Sequence, residues 1–260
     1  QIMRDAGRTG CVPRDAAIYE PIYKTGRAEA LDTITEMAKT CRQCNDPTCA
    51  TRCPAHVNVP EFVGHIAAGR FREAYETLRQ SNVLAAVCGY VCPSETLCEA
   101  GCINQHYTET VPIRHLQRWV SRKAVEEGWA GEPRPVAGNG RRVAVIGAGP
   151  AGVSAASKLA ALGYSVTLLE QGAAAGGTAQ ETIPGERLPD VIIRSEIDAV
   201  LQSSGRVERR YGVRIHAGYT LDDVMKEGFD ACLLAVGLSD SVPLPATVHP
   251  KAGAVAAIEF

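Results

Sequence analysis

No apolar run in this sequence approaches the ~20 residues that carry a helix across a bilayer, so a helical membrane span is excluded. An excess of one charge is missing too. The 27 Lys and Arg against 29 Asp and Glu leave a net −2, too weak a field to draw the chain to nucleic acid or anionic lipid. No secretory leader is readable at its start, and ten cysteines in 260 residues fall short of a disulfide-stapled scaffold. Hydrophobic residues at 45% and charged ones at 22% suit a globular protein with its own core. These features predict a cytoplasmic chain without membrane or nucleic-acid partners. It starts at Gln1 and stops in the apolar stretch AVAAIEF, as a piece of a longer polypeptide would.

What is present is cysteine, tightly grouped. Eight of the ten lie between Cys41 and Cys102. The first group is Cys41-x2-Cys44-x4-Cys49-x3-Cys53-Pro54; the second is Cys88-x3-Cys92-x5-Cys98-x3-Cys102, with Pro93 after Cys92. In a chain without secretory features, such clusters are metal or redox ligands rather than disulfides. A four-iron cluster needs one thiolate, or a substitute, for each iron, several of them from one tight loop. The first group is close to the bacterial ferredoxin run C-x2-C-x2-C-x3-C-P, and two groups in tandem suit two 4Fe-4S clusters. Structural zinc wants paired C-x2–4-C units, which these gaps and prolines fit less well; inert core thiols are the third reading. Cys11 and Cys232 stand apart and read as small hydrophobes. His56, His106 and His115 are isolated, and no side chains pair as nucleophile or acid and base, so no catalytic residue is expected.

The chain reads as an α region followed by an α/β region. Residues 1–28, with Gly7, Gly10, Pro13, Pro21 and Gly26, form an extended arm. Residues 29–128 form an all-helical domain. Leu31, Ile34, Thr35 and Ala38 recur at helical spacing before Cys41. Pro60 opens a helix pair, 61–68 and 71–80, that breaks near Gly69. A helix after Pro112 puts Ile113, Leu116, Val120 and Ala124 on one face and stops at Gly128. The Gly- and Pro-rich residues 129–140 are a linker. From 141 to 260, RRVAVIG, YSVTLLE, GVRIHAG and FDACLLAVG are strand candidates, with a helix over 153–162. That alternation predicts a Rossmann-like parallel sheet, apparently incomplete.

Gly147-Ala148-Gly149-Pro150-Ala151-Gly152 joins the first strand to that helix. Its glycines serve a tight turn, close approach of a pyrophosphate and helix–strand packing, while the helix start offers amides to phosphate. Glu170 ends the second strand, where a carboxylate can bond ribose hydroxyls. Spacing alone does not separate FAD from NAD. Gly176-Gly177 and the strand ending at Gly237 tilt the reading towards FAD.

The paired cysteine groups, followed by GAGPAG, Glu170, Gly176-Gly177, IPGERLP and LLAVG, resemble the family of the glutamate synthase small subunit and the N-terminal part of dihydropyrimidine dehydrogenase. The resemblance spans roughly residues 15 to 260. It implies two 4Fe-4S clusters packed on an FAD domain, with crossed ligation. Cys41, Cys44, Cys49 and Cys102 would hold the first cluster, and Cys53, Cys92, Cys98 and Gln117 the second. Gln117 lies on the apolar helix face, where a polar side chain needs a partner. Cys88 is the competing eighth ligand by spacing. Pro150, Ala151, Gly177, Arg187 and Gly237 join the FAD contacts. The function implied is an electron-transfer subunit of an NAD(P)H-dependent oxidoreductase, feeding a catalytic partner. Rival readings are a bare iron–sulfur electron wire and a zinc-stapled nucleotide-binding module. Thr178 stands where leucine is common, and residues 202–213 look longer than the corresponding connection. NAD(P)H binding would require a further domain, since a second glycine fingerprint is absent.

Overall fold

The structure, a computed structural model, describes residues 31–238. The expected arm at 1–28, Cys11 and everything beyond 238 lie outside the described residues. The helical unit contains α1 (Leu31–Lys39), α2 (Thr48–Thr51), α3 (Val59–Ala67), α4 (Phe71–Ser81), α5 (Ala85–Val91) and α6 (Ile113–Glu126). Two 3-10 turns, Glu99–Gly101 and Ile103–His106, lie between α5 and α6.

The starts of these helices follow local chemistry. Asn58 caps α3 by accepting from the Glu61 amide at 3.4 Å, and its own Nδ2 donates to the Glu61 carboxylate at 2.7 Å. Pro60 occupies the first turn, where a missing N–H costs nothing. Gly69, at φ 71°, turns the chain from α3 into α4. α6 has no cap of its own; Glu99 supplies it from a neighbouring loop, accepting from the Arg114 amide at 2.9 Å. Ile34, Phe62, Val63, Ile66, Leu78, Leu116 and Val120 close the core, with Cys98 and Cys102 buried among them. The helices expected before Cys41, over 61–68 and 71–80, and after Pro112 are present as Leu31–Lys39, Val59–Ala67, Phe71–Ser81 and Ile113–Glu126.

The second unit alternates β1 (Arg142–Ile146), α7 (Pro150–Ala161), β2 (Ser165–Glu170), α8 (Thr178–Glu181), α9 (Asp190–Gln202), β3 (Val207–Tyr211), α10 (Leu221–Lys226) and β4 (Ala231–Leu234). The strands are parallel in the order β3-β2-β1-β4. Val143, Val145, Val166 and Leu168 face α7 and α9. Ala144, Ile146 and Leu169 face Val224 of α10 and Phe229 on the opposite side. The order reverses at β1, so the glycine loop leaves the sheet at the crevice where open α/β sheets bind ligands.

Two features differ from the sequence reading. The third strand is not GVRIHAG but the segment before it, VERRY, paired with β2 from Val166–Val207 to Glu170–Tyr211. This is an edge strand, and its charges hide it from an apolar-pattern search: Arg209 pairs with Asp198, and Arg210 with Glu208 and Glu227. Its place in the sheet also absorbs the apparent extra length of residues 202–213. The second difference is α5. It belongs in sequence to the cysteine region, yet Val83, Leu84, Val87 and Tyr90 pack into the core of the sheet unit with Ile193 and Ile197. Among the described residues, no helix is long and apolar enough to cross a membrane.

Candidate functional site

The first thiol set forms where α1 ends and α2 begins. Cys41 follows α1, Cys44 lies in the intervening loop and Cys49 sits on α2. Cys102 arrives from the 3-10 turn beyond α5. All four line one cavity of about 90 Å³ with Val59, Val111 and Ile113. They also sense one another. Burial, then the neighbouring Cys102 and Cys41, pushes the Cys49 thiol up to about 11. Burial, followed by Cys102 and Cys44, raises Cys41 against hydrogen bonds donated by Gln43. Gln43 itself has a left-handed backbone at φ 50°, an uncommon state for a residue with a Cβ. Amide-to-sulfur bonds of this kind tune iron–sulfur clusters. Arg42 bonds Asn104 at 3.0 Å and lies 3.9 Å from the Tyr107 ring beside this cavity.

The second set gathers Cys53, Cys92 and Cys98. Burial, then Cys88 and Cys53, pushes Cys92 up to about 11. Burial, then Glu99, Cys92 and Cys53, pushes Cys98 up to about 12. Cys88 is also raised by burial, receives a bond from Asn82 and feels Cys53. Cys102 thus lines the cavity of Cys41, Cys44 and Cys49, and Cys53 lies near Cys88, Cys92 and Cys98. Gln117 donates its Nε2 to the Ala85 carbonyl at 2.7 Å. That bond commits the nitrogen and leaves the amide oxygen as the atom a metal could use. Cys88 lies beside the second set, near Cys53 and Cys92, and Gln117 meets α5 one turn earlier, at Ala85.

Among the described residues, no group of three or more His, Cys, Asp or Glu converges tightly enough for a single metal ion. Mononuclear zinc draws thiolates to about 2.3 Å from one point. Four cysteines spaced around a cavity fit an inorganic core of several atoms better. Thiols raised this far are protonated when empty, so metal loading must displace their protons.

At the tip of β1, Gly147 has φ 100°, and a Cβ there would lie 2.3 Å from the Ala235 carbonyl at the end of β4. A Cβ on Gly152 would lie 1.8 Å from the Gly147 carbonyl. Pro150 opens α7 with Gly149 as its N-cap, so the amides of Gly149, Ala151 and Gly152 fall among those that helix geometry leaves unpaired. Glu170 buttresses this loop, accepting from Ala148 N and Gly172 N, both at 2.7 Å. Gly177 presses on Gly149: its Cβ would come within 2.9 Å of the Gly149 Cα. Gly237 follows β4 with φ 70°. The glycine turn, the β2 carboxylate, the second glycine pair and the β4 end thus meet at one edge of the sheet. Arg187 donates Nη2 to the Val91 carbonyl at 3.2 Å.

Sequence reasoning missed Glu196. It is 3% exposed, and its two oxygens accept from Ala86 N at 2.6 Å and Val87 N at 2.8 Å, across the boundary between the units. The signal was available: Glu196 falls on the apolar stripe of α9 formed by Ile193, Ile197 and Val200. Burial raises its pKa to about 7, against the Val87 and Ala86 amides and Arg79. Tyr75 and Cys88 also face it. A raised carboxylate favours the folded state while protonated. Stability from this group is therefore full below about 4.5 and is lost as pH rises through about 7. Glu196→Gln should flatten that fall, measured as urea midpoints of wild type and variant at pH 5 and pH 8.

Two family models cover the chain. Residues 20–129 match the dihydropyrimidine dehydrogenase domain II, 4Fe-4S cluster family. Residues 126–256, half of the chain, match the pyridine nucleotide-disulphide oxidoreductase family. The chain belongs to the pyridine nucleotide-disulphide oxidoreductase family. As the sequence resemblance implied, this oxidoreductase domain follows an iron–sulfur module, and iron–sulfur and flavin cofactors accord with the pairing. The oxidoreductase is 31% identical over 243 residues to the glutamate synthase (NADPH) small chain of Escherichia coli K12, covering 94% of this chain and 49% of that one. It is 36% identical over 212 residues to the NAD-dependent dihydropyrimidine dehydrogenase subunit PreT of Escherichia coli O157:H7, covering 82% and 50%. The NADP(+)-dependent formate dehydrogenase subunit beta of Moorella thermoacetica is 36% identical over 214 residues, covering 74% and 30%. The chain spans about half the length of the first two relatives.

Proposed function

We propose that the chain is the electron-relay part of an NAD(P)H-dependent oxidoreductase, carrying electrons between FAD and two 4Fe-4S clusters and on to a catalytic partner. The observation that carries this reading is the two thiol sets beside a dinucleotide fold, joined to it through α5. Bound FAD exchanges two electrons with a nicotinamide and single electrons with iron–sulfur clusters. The chain's part is to hold and insulate these groups. Cys41, Cys44, Cys49 and Cys102 would grip the first cluster, and Cys53, Cys92, Cys98 and Gln117 the second. Amides of Gly149, Ala151 and Gly152 would bond the pyrophosphate. Gly177 and Gly237 let backbone approach the dinucleotide, and Glu170 holds the loop in place. The reaction served and the partner's identity belong to the same proposal; the relatives' names include glutamate synthase and dihydropyrimidine dehydrogenase chains.

The test is photoreduction of the flavin in anaerobically purified protein, followed by EPR. Cluster signals should grow as the flavin bleaches. Flavin bleaching without cluster signals contradicts the relay; iron without flavin favours a bare wire, and colourless protein carrying zinc contradicts both. For the eighth ligand, Gln117→Ala should lose about half of the iron while Cys88→Ala keeps it. The opposite result assigns Cys88.

A further inference from the structure

α5 is a seven-residue rod, and the sheet unit grips both of its ends. At the N-terminal end, Leu84 provides no side-chain cap, and the buried Glu196 carboxylate takes the Ala86 and Val87 amides instead. At the other end the Arg187 guanidinium holds the Val91 carbonyl. Acid at the amide end and cation at the carbonyl end both match the helix dipole. Between them, Leu84, Val87 and Tyr90 sit in the core of the sheet unit.

The same rod leads directly into the second thiol set. Cys92 is its C-cap, with its amide on the Cys88 carbonyl at 3.0 Å, and its own carbonyl takes Arg114 at 2.8 Å. Ala85 O, in the first turn, is the anchor of Gln117. On the side away from α9 there is no slack: a Cβ on Gly89 would lie 2.9 Å from the Arg118 Cα of α6. Moving α5 along its axis would thus displace Cys92 and the Gln117 anchor together. The first set is built on α1, α2 and the 3-10 turns and does not use this rod.

We infer that Glu196 and Arg187 are positioning residues through which the dinucleotide-binding unit sets the geometry of the second cluster and not the first. This rests on the two-cluster reading above. A carboxylate that merely stabilised the domain boundary would change melting without singling out one cluster, so the readout must separate the two.

The experiment uses the anaerobically purified full chain, with EPR spectra and redox titrations of wild type, Glu196→Gln, Glu196→Leu and Arg187→Gln. Cys49→Ser and Cys98→Ser serve as references that identify each cluster's signal. The expected result is a shift in g-values and midpoint potential of the signal lost in Cys98→Ser. The signal lost in Cys49→Ser should stay unmoved. Glu196→Gln, which keeps one accepting oxygen, should shift less than Glu196→Leu. If Glu196→Leu fails to fold, Arg187→Gln decides, because that side chain is exposed and its loss is tolerable. Unmoved spectra with a lowered melting temperature would overturn the inference, as would equal shifts in both clusters. Wild-type protein without two clusters would instead overturn the reading on which it rests.

Discussion

Cys102→Ser should remove the same cluster as Cys49→Ser, although three helices separate the two positions in sequence. Cys53→Ser, only four residues from Cys49, should remove the other. This is the largest effect expected of any single substitution, because serine oxygen is a poor replacement for thiolate at iron and each cluster depends on all its ligands. Each variant should lose about half of the wild-type iron and sulfide. The double variant Cys49→Ser/Cys102→Ser should lose no more than either single one. Cys49→Ser/Cys53→Ser should lose both clusters. Iron analysis with EPR of the reduced protein distinguishes these outcomes. Pairing by sequence proximity would give the reverse pattern, with Cys49 and Cys53 acting together. The geometric basis for expecting the crossed pattern is that Cys41, Cys44, Cys49 and Cys102 line one cavity, and Cys53 is not part of its lining.

Gly152→Ala should unfold or empty the sheet unit. The new Cβ would sit 1.8 Å from the Gly147 carbonyl oxygen, and both ends of that clash are backbone. Relief requires α7 to move off β1, opening the core around Val143, Val153 and Ala156. Overpacking in a well-packed core costs about 1–3 kcal/mol, and a clash that no side chain can relieve belongs at or above the top of that range. Gly185→Ala is the control, since a Cβ there meets nothing within 4 Å. Urea unfolding followed by the far-UV signal should show a large loss for Gly152→Ala and nearly none for Gly185→Ala. Retained flavin should fall in the same order. Equal stability of the two variants would contradict the packing account.

The parts of this molecule written in local pattern were legible. The helices over 31–39, 59–81 and 113–126 announce themselves by apolar spacing and by Pro60, Gly69 and Gly128. β1, β2 and β4 are apolar enough to stand out, and the glycine turn lies where its motif places it. β3 was not legible because an edge strand carries charge in place of an apolar alternation. α5 was obscured by cysteines, a glycine and short length, and its stability comes from Glu196 and the core of the other unit. That Cys102 lines one cavity with Cys41, Cys44 and Cys49 cannot be read from spacing, because it depends on the 3-10 turn just before Cys102. The hydrogen bond from Arg187 to the Val91 carbonyl, just before Cys92, was not legible because it joins positions 96 residues apart.

The proposed relay requires one chain to hold two four-iron clusters against a flavin-binding fold. Its most direct test is the metal and sulfide content of anaerobically purified protein, with spin quantitation of the fully reduced state. About eight iron and eight sulfide per chain, no stoichiometric zinc, and two interacting cluster signals are expected. About four iron with a single signal, or one zinc and no sulfide, would contradict it.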